Sequence, residues 1–212
     1  VKSGGSRTDK LADGGEAIAF KHGGERCLLP VPGDWADVSP AYNDGKIRHV
    51  ALAIHQSLNG GSEEVRELGR RYLRWAAERQ VKKGASFLDV NVDEYTNDET
   101  ERTEIMKWVV EYLSGQYDTP LSIDSSNVKV LQTGLASCRD GSTPMVNSVS
   151  LEREDAVDVV IDYEAEAIVS AAGKTGLPST VEERTANFEK IVGILDGRNM
   201  PRKKMHLDPL VF

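Results

Sequence analysis

Between Phe87 and Ser150 the sequence repeats one design three times: a short apolar run that ends in small polar or acidic residues. The runs are Phe87-Leu-Asp-Val-Asn-Val92, Pro120-Leu-Ser-Ile-Asp-Ser-Ser-Asn127 and Pro144-Met-Val-Asn-Ser-Val-Ser150, and Met205-His-Leu-Asp-Pro-Leu-Val211 repeats the design further on. Apolar runs of about 4–8 residues bounded by turn signals read as buried strands. Amphipathic segments long enough to be helices separate them, and such alternation implies a parallel sheet. Ligands bind at the carboxyl ends of strands in sheets of this kind. Here those ends carry Asp89, Asn91, Asp124, Asn127, Asn147 and Asp208.

The rest of the chain extends the pattern. Ser62 is suited to cap a helix that Glu63 and Glu64 favour electrostatically, and that runs to Gly84 with Val65, Leu68, Tyr72, Trp75 and Ala76 on one face. Further helices are expected over Asp98–Leu113, with Ile105, Trp108, Val109 and Tyr112 inward, and over Val128–Ser137, Leu151–Tyr163 and Thr180–Leu195. Ala17–His22 reads as a first strand, Ala167–Ala172 as a late one, and residues 1–16, rich in Gly, Ser, Lys and Asp, as a loose leader. Residues 27–62 are broken by Pro and Gly, with Lys46–Leu58 readable as helix or strand. The total is about six strands in alternation with helices. This suits an α/β fold, either an open doubly-wound sheet or a (β/α)8 TIM-type barrel. No GxGxxG or P-loop follows a strand, and polar residues end strand after strand, which favours the barrel. Eight units take about 250 residues, so the barrel is expected to be incomplete.

Charge and composition limit the function classes. Thirty-four Asp and Glu against 26 Lys and Arg give a formal charge of −8 and a pI near 5.1, and the basic residues are scattered, which argues against a nucleic-acid partner. No apolar run approaches the roughly 18 residues of a membrane span, and the first residues lack the apolar core of a secretory signal, so no membrane association and a cytoplasmic location are expected. Cys27 and Cys138 sit in no metal-binding or redox motif and read as reduced thiols, and the four histidines lack ligand spacing. Asp and Asn at strand ends can simply serve turn amides. Gathered on one rim, they also suit a planar heterocycle with donors and acceptors: a carboxylate accepts two N–H bonds and an Asn both gives and accepts. A hard metal held by Asp89, Asp93, Asp124 and Asp208 is the alternative, with no metal as the main reading.

Five segments resemble the motifs of the pterin-binding barrel superfamily: Asp89-Val-Asn-Val-Asp-Glu94, Ile123-Asp-Ser-Ser-Asn127, Val146-Asn-Ser-Val-Ser-Leu-Glu152, Lys174-Thr-Gly-Leu-Pro178 and Leu207-Asp-Pro-Leu210. Their order is similar to that of its methyltetrahydrofolate branch, the methyltetrahydrofolate–corrinoid methyltransferases and the folate domain of cobalamin-dependent methionine synthase. Gly24-Glu-Arg26 resembles the GER that closes the first strand there, although Cys27-Leu-Leu-Pro30 replaces the polar turn that follows it. The resemblance implies a pterin-binding barrel over 17–212 that lacks its last strands. It implies that Asp124, Asn147 and Asp208 bond the pterin ring, that Asp89 supports them, that Asn127 lies beside them, and that Asn91 and Lys174 line the rim. It implies methyl transfer from N5 of methyltetrahydrofolate to cobalt(I) of a cobalamin or other corrinoid, held by a partner protein, with a homodimer possible. The family's N5-bonding Asn ends a seventh strand, so the catalytic residue is unassigned. A non-catalytic folate-binding module and dihydropteroate synthase are the alternative functions.

Overall fold

The computed structural model describes residues 7–211, which fall by packing into two compact units where the sequence reading drew one domain over 17–212. The first unit takes the described part of Val1–Ala85 together with Glu94–Asp98, and the second takes Ser86–Asp93 and the chain from Glu99 onward.

In the first unit, strands β1 (Arg7–Lys10), β2 (Glu16–His22) and β3 (Glu25–Pro30) form an antiparallel meander in the order β1-β2-β3. This corrects two expectations. Arg7–Lys10 lies in the stretch expected to be a loose leader, yet Arg7 pairs with Ala19 and Lys10 with Glu16, while residues 1–6 lie outside the described residues. Ala17–His22 is a strand, but it is no member of the parallel set. The two-residue turn Gly23-Gly24, with φ of 62° and 84°, folds it straight back so that His22 pairs with Glu25. Such a tight loop joins only antiparallel neighbours, since a parallel pair needs a crossover of about a dozen residues or more. The Glu25-Arg26 of the GER-like segment therefore opens β3 rather than closing a barrel strand.

The broken stretch that follows holds a four-residue helix α1 (Trp35–Val38), a 3-10 turn (Pro40–Asp44) and helix α2 (His49–Asn59). Trp35 is fully buried and its Nε1 donates to the Ile47 carbonyl at 3.0 Å. Helix α3 (Glu63–Val81) starts as its sequence dictates, with the Ser62 hydroxyl accepting from the Val65 amide. Tyr72 and Trp75 pack with Phe20 of β2 at ring separations of 5.1 and 5.5 Å. Gly69 lets α3 lie directly on α2: a Cβ there would meet the Ser57 amide at 2.6 Å and the Ala53 carbonyl at 2.7 Å.

The second unit carries β4 (Leu88–Asn91), β5 (Leu121–Asp124), β6 (Met145–Val149), β7 (Glu166–Ser170) and β8 (Met205–Asp208), all parallel and in chain order. Among the described residues the parallel strands thus number five, Ala17–His22 having been counted with them in the expected six or so. Helices α4 (Glu99–Ser114), α5 (Val128–Ala136), α6 (Asp155–Asp162) and α7 (Val181–Gly197) follow the first four strands, each packed on the strand before it. Alternate strand residues Leu88, Val90, Leu121, Ile123, Val146, Ala167 and Val169 are buried. That is the α/β pattern of an incomplete (β/α)8 barrel. On α4 the buried face is Ile105, Met106, Val109, Val110 and Leu113, turned from the expected one. Trp108 and Tyr112 are instead half-exposed and stack on each other at 5.4 Å, because an i, i+4 aromatic pair is satisfied on the helix surface.

Gly69→Ala tests the α2–α3 contact. Helix propensity favours Ala by about 1 kcal/mol, whereas overpacking against backbone costs about 1–3 kcal/mol. A lowered thermal midpoint by calorimetry is expected, and an unchanged or raised one would show that the helices can part cheaply.

Candidate pterin site

The carboxyl ends of all five parallel strands lie on one rim, and the polar residues there are linked. Asp89 Oδ1 accepts from Ser122 Oγ at 2.8 Å and from Asn147 Nδ2 at 3.1 Å. Asn91 hydrogen-bonds the Asp124 side chain, and its Oδ1 accepts from the Asp93 amide at 2.9 Å.

The arrangement of these contacts follows from how the strands slip past one another. In register, Asn147 lies opposite Asp124 and Asp124 opposite Asn91. The Asn147 amide nevertheless reaches Asp89, two residues back over two strands. The same ladder runs through Ile168 to His206. Four strands from Asn91, the His206 ring meets Phe87, four residues back, at 6.2 Å and near-perpendicular. Both contacts step back one residue per strand, the stagger of an eight-stranded barrel of shear 8. On that stagger, Phe87, Met145 and His206 make one layer of the concave face, and Ser122 and Ile168 the next. Asp89, Asn147 and Asp208 share the layer above, followed by Asp124 and Ser170. Barrel layers are normally filled with branched apolar side chains. Three successive alternate strands delivering Asp, Asn and Asp to one layer make a polar floor instead.

The structure gives the expected site residues different surroundings. Asp89, Asn91, Asp124 and Asn147 are joined by the bonds just described. Asp208, exposed at the end of β8, accepts from the Leu210 amide at 3.0 Å. Asn127 caps α5, accepting from the Val130 amide at 3.1 Å, and gives its amide to Glu99 at 2.8 Å. Lys174, in the loop after β7, pairs with Glu154 at 3.1 Å and borders a groove of about 900 Å³ lined also by Leu151, Asn187 and Lys190. Among the described residues no three His, Cys, Asp or Glu side chains are grouped to hold a metal ion.

Sequence reasoning missed Ser122, Asp93 as a hub of hydrogen bonds, and the Glu166–His206 pair on the same concave face, bonded at 2.5 Å. The odd-even alternation of the strands carried the signal for Ser122, which shares parity with Asp124. Electrostatics differ sharply between neighbours. Burial, helped by the charges of Asp89 and Asp93, raises the proton affinity of Asp124, against the Asn91 bond and Arg153. Burial works the same way on Asp93, but the Ser126 amide, the hydroxyls of Ser125 and Ser126, and Arg102 hold it below the usual carboxylate range. Elsewhere, burial pushes the Cys138 thiol up to about 11, out of the reactive range.

The profile of the pterin binding enzyme family matches residues 70–212, and the chain belongs to that family. A methylcorrinoid:tetrahydrofolate methyltransferase of Eubacterium limosum is 28% identical over 171 residues, 76% of this chain and 61% of that protein. The chain thus spans less than two thirds of that relative's length. Among solved structures, a Yersinia pestis DHPS with a pterine–sulfa conjugate aligns with a TM-score of 0.51 at 18% identity, over 65% of this chain and 55% of that one. The 7,8-dihydropteroate synthase of Vibrio fischeri gives 0.50 at 20%, over 65% and 54%. These two show the shared barrel fold. No helix among the described residues is long and apolar enough to cross a membrane.

Asp124 supplies a stability test. Its folded-state proton affinity lies above the unfolded value near 3.8, so its ionisation opposes folding above the raised value, and that opposition vanishes as pH falls through it to 3.8. Asp124→Asn is expected to raise the thermal midpoint at pH 7, with the gain shrinking on acidification towards pH 4. An equal gain at both pH values would assign it to packing rather than charge.

Proposed function

We propose that the polar layers at the carboxyl rim bind the pterin ring of a tetrahydrofolate, and that the chain takes part in methyl transfer between N5 of that folate and a corrinoid carried by a partner protein. The observation that carries this reading is the linked set Ser122–Asp89–Asn147, with Asp208 in the same layer and Asp124 in the next. A 2-amino-4-oxo-pyrimidine edge presents adjacent N–H donors, which one carboxylate accepts in pairs, while Asn147 gives and accepts on the ring's other polar atoms. Membership of the pterin binding enzyme family and the name of the Eubacterium relative support the same reading.

The residues' work is positioning and charge placement. The corrinoid is a substrate that supplies the cobalt(I) nucleophile in one direction and the methyl group in the other. The sequence resemblance suggests the first direction, and the relative's name is written in the second. One site serves both, because the same transition state is crossed each way. When the methyl group leaves, N5 keeps the bonding pair and takes up a proton; a tertiary amine leaves poorly without it, so hydrogen bonding to N5 must grow towards the transition state. Asp89, Asp124, Asn147 and Asp208 hold the ring so that N5 faces the partner, with Asn91 and Lys174 at the rim.

Calorimetry with methyltetrahydrofolate tests the site. Asp124→Ala and Asn147→Ala each remove a charged or two-way contact worth about 1.5–3 kcal/mol, so affinity is expected to fall roughly ten- to a hundred-fold in each. Wild-type protein that ignores the folate, or variants that bind it as tightly, would end this reading. Turnover with added cob(I)alamin separates a methyltransferase from a folate-binding module.

A further inference from the structure

The mechanism above leaves the half-buried carboxylate of Asp93 without a task. Asp93 lies two residues beyond β4, on the side of Asp89 and Asn91, and accepts three hydrogen bonds from the turn that follows Asp124. Its Oδ1 takes Ser125 Oγ at 2.7 Å; its Oδ2 takes the Ser126 amide at 2.8 Å and Ser126 Oγ at 2.9 Å. Arg102 of α4 faces it at 3.8 Å. Ser125 is fully buried, its hydroxyl also accepts from the Asn127 amide at 3.2 Å, and its carbonyl accepts from Arg153. On the other side, the Asp93 amide donates to Asn91, whose side chain bonds Asp124. The bonds therefore form a closed circuit: Asp93 to Asn91, Asn91 to Asp124, and the two residues after Asp124 back to Asp93. Three acceptor contacts on one carboxylate exceed what a short turn needs, since Asn127 already caps the helix that follows.

We propose that Asp93 is a positioning residue for the pterin site, fixing the direction and the charge state of the Asp124 carboxylate through this circuit. The inference rests on the pterin reading of the site. The groups facing Asp124 are Asp89 on β4, Asp93 beyond it, Asn91, and Arg153 ahead of α6. Of these, Asp89 and Asp93 raise its proton affinity and Arg153 lowers it. Removing the Asp93 charge therefore lets Asp124 hold its own charge to lower pH. If the folate binds to ionised Asp124, binding fails on the acid side as Asp124 takes a proton, and that limit moves with Asp93.

The test is methyltetrahydrofolate binding across pH 4–7 by the 212-residue chain, in wild type, Asp93→Asn and Ser126→Ala. The folate's own titration is common to all three. Asp93→Asn keeps the size and one acceptor, and is expected to weaken binding roughly ten-fold at pH 7 and to shift the acid limit to lower pH. Ser126→Ala removes one hydroxyl from an exposed position; it is expected to weaken binding by about two- to three-fold, a fraction of a kcal/mol, with the acid limit in place. Wild-type affinity in Asp93→Asn, or weakened binding with an unmoved acid limit, overturns the proposal and leaves Asp93 a brace. Should Asp93→Asn fail to fold, wild-type affinity in Ser126→Ala overturns it. Absence of binding in wild type fells the pterin reading itself, a different result from either.

Discussion

The amide of Asn147 can reach Asp89 only because parallel strands slip by one residue at each step around a curled sheet. Residues directly opposite in the ladder are not the ones that meet on the concave face. The slip sorts side chains from alternate strands into layers, and it brings carboxylates and amides that are far apart in sequence to one height. The apolar face of the same strands is committed to α4–α7, so the concave side is free to be polar. Such a floor is costly to bury without partners. Here the partners are supplied internally, by Ser122 to Asp89 and by Asn91 to Asp124, while acceptor capacity remains towards the open side.

Asp89, Asp93 and Asp124 would repel one another if all were ionised alike. The structure separates their roles through environment. Asp93 is surrounded by donors and keeps its charge, whereas Asp124 lacks comparable donors and holds its proton more readily. A site built this way accepts a ligand that brings N–H donors of its own, because the ligand completes the hydrogen bonding that the protein withholds from Asp124.

Much of this was legible in the sequence because parallel strands advertise themselves. The runs at Leu88, Leu121 and Met145 are short and apolar with an Asx residue at or near the end, and each lies within a residue or so of its expected bounds. The polar rim followed from chain order alone. The meander of β1–β3 was less legible. Its strands look like any others, and only the Gly23-Gly24 turn tells a hairpin from the start of a crossover. The Asp93 circuit was hidden for another reason: its bonds join residues 32 and 33 positions apart, which no local period records. On α4, periodicity found the helix and misjudged its face, since Trp108 and Tyr112 satisfy each other outside the core.

Asn147, near the end of β6, and Asn127, just ahead of α5, look alike in sequence and have opposite fates in the fold. Asn127 spends both ends of its amide on the chain itself, closing the first turn of α5 and tying it to Glu99. Asn147 gives one bond to Asp89 and has the rest of its amide to offer. Evolutionary drift at the two positions is therefore policed by different failures. Change at 127 is filtered through how much folded protein a cell retains, and change at 147 through what that protein can hold.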